Sequence, residues 1–148
     1  MDQKYDDLTE RLLEQACWVI DILPRQVPAD GAGQYFAVEQ FLMTVPQLEE
    51  LYARFARLIL KLNCYYDIRL GSEEEWYEEP MPEHLWAMII RCADGGYLNL
   101  LFPKEEALIT LSEGDLYMTL YGSSKELLET VKQLAGAEGL FVRIAEEG

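Results

Sequence analysis

A chain of 148 residues, half of them apolar and 26% charged, has the composition of a packed globular protein and needs no disulfide or metal staple. Its 12 Lys and Arg stand against 27 Asp and Glu, a formal charge of −15. That balance excludes direct binding to nucleic acid or to an anionic membrane, which relies on basic residues displacing counterions, and it favours a basic protein as partner.

In chain order, Asp6 or Asp7 is expected to cap a short helix bearing Leu8, Leu12 and Leu13, with Glu10 completing a capping box from Asp7. Residues 16–23 alternate as a strand, with Trp18, Ile20 and Ile22 on one face and Cys17, Val19, Asp21 and Leu23 on the other. Both faces are largely apolar, so this strand is expected inside a sheet. The apolar run 35–43 reads as a second strand. Thr44 and Gln47 then form a capping box around Pro46, and Leu48, Leu51, Tyr52, Phe55, Leu58, Ile59 and Leu62 recur at helical spacing. Residues 64–70 read as a strand ended by Gly71.

Further along, 85–92 and 97–102 are expected to pair as a hairpin across Asp94-Gly95-Gly96, and 107–111 with 116–121 across Glu113-Gly114-Asp115. Ser123 and Glu126 cap a helix carrying Leu127, Leu128, Val131 and Leu134 that Gly136 stops, and 140–144 closes the chain as a strand. The expected class is α+β, a largely antiparallel sheet of about seven strands with helices packed on it, in one domain spanning residues 1–148. A strand, a capped helix and a strand occur twice, each with a preceding strand. This raises two β-β-α-β halves as an alternative to ordinary α+β assembly, although the halves share little residue identity.

Cys17, Cys64 and Cys92 are an odd number without Cys-x-x-Cys spacing, each in an apolar run, which suits a reducing cytoplasmic compartment. The polar, acidic start is unlike a signal or transit peptide, and no apolar run approaches the ~20 residues that span a bilayer. No Gly-x-Ser-x-Gly, zinc-ligand spacing or phosphate-binding loop is present. No catalytic residue, metal ligand or cofactor is therefore assigned. His84 is the single histidine; a Cys–His pair with it has no support beyond residue type, and it is assigned to structure or solvent.

Two segments stand out as contact candidates. Glu73, Glu74, Glu75, Glu78 and Glu79 surround Trp76 and Tyr77, inside a stretch between Arg69 and Arg91 that holds six acidic residues and no Lys or Arg. Clustered carboxylates attract a basic partner and aromatic side chains supply buried anchors, so this segment is the expected partner-binding surface. The competing expectations are that the glutamates fold back on Arg54, Arg57 and Lys61, or that the loop is solvated with Trp76 against the core. The second candidate is the loop 24–34, long for a strand connection and stiffened by Pro24 and Pro28, where Arg25, Gln26, Asp30 and Gln34 could contact a ligand. Asp21 and Glu39 could converge as a cation site or an acid–base pair, but partnership with arginine or solvent is the favoured expectation.

The expected function is that of a non-catalytic binding protein of the inhibitor, immunity or regulatory type, engaging a basic partner. The alternative is a small-molecule binder or enzyme with a pocket beside the 24–34 loop. Mimicry of nucleic acid would need a regular array of acids and ranks last. An unpaired strand edge would also permit a homo-oligomer.

Overall fold

The computed structural model describes residues 2–73 and 75–145. Among them are five helices and seven strands: α1 (Asp2–Leu13), β1 (Cys17–Asp21), α2 (Tyr35–Leu42), α3 (Gln47–Asn63), β2 (Arg69–Gly71), β3 (Trp76–Tyr77), α4 (Pro82–Arg91), β4 (Tyr97–Phe102), β5 (Ala107–Ser112), β6 (Tyr117–Tyr121), α5 (Lys125–Ala137) and β7 (Phe141–Ile144). The strands form one sheet in the order β3-β2-β4-β5-β6-β1-β7, each neighbouring pair antiparallel. The architecture is α+β.

Alternation along the strands divides the apolar residues between two layers. Leu98, Leu100 and Phe102 of β4, Ile109 and Leu111 of β5, Met118 and Leu120 of β6 and Ile20 of β1 face the main core, where α3, α4 and α5 pack. Leu101 and Leu108 face the other way and meet Tyr5 and Leu12 of α1. The α3 stripe read from the sequence is buried as expected, from Leu48 to Leu62. Glu49 and Glu50 in its first turn and Lys61 in its last complement the helix dipole.

Several expected elements change type. Residues 35–42 form α2, not a strand, with Met43 as its cap; the run is apolar at either period, and β1, the strand before it, is already paired on both sides by β6 and β7. Residues 85–91 belong to α4, and Cys92 caps it. Leu85 and Ile89 in the helix and Cys92 at its cap are buried, at spacings of four and three, and Pro82 stands in its first turn, where a missing N–H costs nothing. Asp94-Gly95-Gly96 therefore links a helix to a strand, although Gly96 does adopt a positive φ of 84°. Of the segment 64–70 only Arg69 and Leu70 are strand, with Gly71 closing β2, since Cys64 caps the end of α3. With a helix where the first half needed its second strand, the two β-β-α-β halves do not appear.

The caps shift as well. Helix α1 begins at Asp2, which puts Asp6 and Asp7 inside it. The Thr44 side chain makes no cap bond to α3; its carbonyl accepts from the Leu48 N–H. Ser124, not Ser123, caps α5, its Oγ accepting the Leu127 N–H at 3.2 Å. Gly136 lies within α5, and Gly139 ends it at φ 75°, with Leu140 N–H bonding the Ala135 carbonyl in a Schellman closure.

Candidate partner-binding face

Antiparallel register brings several connections to one end of the sheet. The C-terminal ends of β1, β2 and β5 lie beside the N-terminal ends of β3, β4, β6 and β7. The 72–75 turn, the 94–96 turn, the 113–116 turn and the segment leading from β1 into α2 all gather there. Tyr52 of α3 ties this end to the core, its hydroxyl donating to the carbonyls of Ser112 and Asp115 at 3.0 and 2.8 Å. Burial drives that hydroxyl well above the usual tyrosine range, so it remains a donor throughout ordinary pH.

Between the 72–75 turn, α4 and the 94–96 turn lies a cleft of about 730 Å³. Glu73, Glu75 and Asp94 supply carboxylates, Tyr77 and Tyr97 aromatic walls, and Arg91 and His84 basic groups. Tyr77 and His84 meet edge to face with centroids 4.6 Å apart, and the Tyr77 hydroxyl donates to Glu75 Oε1 at 2.6 Å. None of the ion pairs of the described residues uses Glu73, Glu75, Asp94 or Arg91. Cys92 lines the cleft floor at 2% exposure. Burial first, then the Glu73 carboxylate, push its thiol up to about 11. At neutral pH it is a protonated thiol, so the Cys–His pairing has no activated nucleophile here.

The acidic-aromatic segment divides in two. Glu73, Glu75 and Tyr77 face the cleft. Trp76 points to the opposite face of β3, against Tyr5 with ring centroids 5.4 Å apart, and its indole N–H donates to Asp6 Oδ1 at 2.9 Å. A methyl group on Gly71 would lie 2.7 Å from the indole, so the glycine makes room for it. Trp76 is an internal anchor for α1, which corrects its expected place in a partner contact. Glu78 is engaged too, accepting the Tyr5 hydroxyl at 2.7 Å, while Arg69 Nε donates to that hydroxyl. Glu79 is exposed, and Glu74 lies outside the described residues.

Among the described residues, none of the segment's glutamates folds back onto α3. Arg54 pairs with Glu50, and Arg57 and Lys61 both pair with Glu138, at 2.6 and 2.7 Å. Arg25, Gln26, Asp30 and Gln34 are exposed and line neither this cleft nor the smaller one of about 180 Å³ around Tyr66 and Lys104. The pocket expected beside their loop stands across the sheet end from it. Asp21 and Glu39 do not converge as a site: Asp21 Oδ2 accepts from Arg143 at 3.0 Å, and Glu39 accepts the Tyr35 hydroxyl. Among the described residues no group of three His, Cys, Asp or Glu could hold a metal ion, and no helix is long and apolar enough to cross a membrane.

Sequence reading missed Arg91 and Asp94 as cleft residues because α4 was read as a strand; Tyr97, on β4, is conceivable from sequence as a pocket tyrosine, but strand alternation explains it equally well. Pro82 followed by apolar residues at spacings of four and three was the available signal. Comparison with known proteins finds no matching family model, no matching curated protein and no matching solved structure. The geometry alone carries the functional argument.

Proposed function

We propose that this protein is a non-catalytic binding module that engages a basic protein, as an inhibitor, immunity or regulatory subunit does, and that it works in the cytoplasm with its three thiols free. The observation that carries this reading is the cleft. Three carboxylates that no ion pair of the described residues uses stand around two aromatic walls, with one arginine among them. Such a site attracts a lysine or arginine side chain and holds it against a ring face. The charge of −15 adds long-range steering, which speeds encounter with a basic surface and opposes acidic ones.

The test is capture from the native lysate at graded salt. Wild type is expected to retain a basic protein at low salt and release it at high salt. Glu73→Gln/Glu75→Gln is expected to weaken capture by about tenfold. Glu10→Gln/Glu14→Gln removes the same charge from exposed positions elsewhere on the surface and should leave capture nearly intact. Equal effects of the two pairs would reduce the contribution of the cleft to bulk charge and overturn the reading.

A second reading has one observation in its favour. The cleft volume falls in the range of small-molecule pockets, roughly 300–1,000 Å³. A small cationic ligand would use the same carboxylates, and would be released from the purified protein on denaturation.

A further inference from the structure

Among the described helices α2 alone buries none of its residues. Phe36, Val38 and Phe41 are 78%, 52% and 58% exposed, and Met43 and Val45 continue the exposed apolar surface beyond the helix. An eight-residue helix is too short to persist in water by its own hydrogen bonds, and Gln34 gives its first turn no side-chain cap bond. Helices of that length are normally held by burying one face; here Leu42 meets the main core, while Phe36, Val38 and Phe41 stay largely exposed around the rest of the helix. Exposed apolar surface of this extent marks contact with another molecule.

The patch continues across the sheet end. Tyr117 and Phe141, both exposed, flank Asp21 in register on β6 and β7. A methyl group on Gly114 would sit 3.8 Å from Met43 Cε, and one on Gly95 would sit 3.4 Å from Glu113 Oε2. The 113–116 turn therefore joins the α2 patch to the acidic cleft. Charge around the patch is one-sided: from residue 24 to 50 Arg25 stands against Asp30, Glu39, Glu49 and Glu50, with Glu113 and Asp115 across the turn.

We propose that α2 is the apolar anchor of the same interface, seated in a hydrophobic groove of the basic partner whose rim carries Lys and Arg. The proposal rests on the reading of the cleft as the site for that partner. Apolar centre and charged rim are the ordinary anatomy of a protein interface, and helix-in-groove docking uses anchors of this type. A second copy of this chain would set acidic rim against acidic rim, and an anionic bilayer would meet the same repulsion.

Photo-crosslinking from Val38→p-benzoylphenylalanine in the native lysate tests it, with Tyr65→p-benzoylphenylalanine, exposed at the far end of the sheet, as the control. The expected result is one predominant adduct, to a protein of basic isoelectric point, whose joined peptide has apolar residues flanked by Lys or Arg. The adduct should fall about tenfold with Phe36→Ser/Phe41→Ser, which alters exposed positions and should leave the circular dichroism unchanged. Adducts to a second copy, to lipid, to acidic proteins, to many proteins without preference, or none at all, would overturn the proposal. Failure of the two readings is separable. Salt-sensitive capture that survives Phe36→Ser/Phe41→Ser leaves the cleft standing and removes the helix; a basic adduct indifferent to Glu73→Gln/Glu75→Gln does the reverse.

Discussion

A thiol reacts through its thiolate, so the burial that raises Cys92 to about 11 also sets how it meets an alkylating reagent. Exposed Cys64 is expected to react first in the native protein and buried Cys92 only on unfolding, read by mass spectrometry of peptides after timed alkylation. Equal rates would contradict the burial. Glu138 shows the opposite balance. Its side chain is 7% exposed, and burial alone would raise its carboxyl, but hydrogen bonds from Lys61 and Arg57 outweigh that and hold it below the usual glutamate range. A carboxyl depressed in the folded state stabilises the fold above its unfolded value, about 4.3, and that contribution is lost as pH falls through the lowered one. Glu138→Gln should cost about 1–2 kcal/mol at pH 7, the two bases being partly exposed, and the gap to wild type should narrow in urea melts at pH 3. A gap independent of pH would show that the pair contributes through packing rather than charge.

At the scale of elements, two glycines predict opposite signs. Gly136 lies in α5 with nothing within 4 Å of the position its Cβ would take, so Gly136→Ala should stabilise by about 0.5–1 kcal/mol. Gly122 has φ 59°, and a Cβ there would lie 2.6 Å from Leu12 Cδ2 and 3.1 Å from the Glu106 carbonyl oxygen. Gly122→Ala should cost about 1–3 kcal/mol and loosen α1 from the sheet. Thermal melts of the two variants check both. The elements themselves were legible where period and caps agreed. The α3 stripe, the hairpin across Gly114 and the capped α5 all appear close to where spacing and turn chemistry put them. They were misread where a short apolar run fits either period. Tyr35–Leu42 has apolar residues around most of its circumference, and the two isoleucines in Pro82–Arg91 favour strand, so neither run declares helix by itself.

For the whole molecule, charge predicts kinetics more directly than affinity. Association with a basic partner should slow steeply with ionic strength while dissociation changes little, because steering acts on the encounter and the apolar contact acts on the lifetime. Stopped-flow or surface binding at several salt concentrations measures the two separately, and an on-rate indifferent to salt would remove electrostatics from the recognition. Composition and periodicity determined on their own the class of the fold, the acidic character and the α3 stripe at the heart of the core. These depend on residue type and local spacing, which a linear chain carries in full. Tertiary structure decided the rest. The run 35–42, apolar at either period, becomes helix α2 with its apolar side chains largely exposed. Trp76 turns inward onto Tyr5 while Tyr77 turns toward the cleft, because β3 alternates sides, and the turn before it carries Glu73 and Glu75 to the cleft rim. The cleft itself exists because antiparallel register gathers turns distant in sequence at one end of the sheet, a consequence of pairing between strands that no single segment encodes.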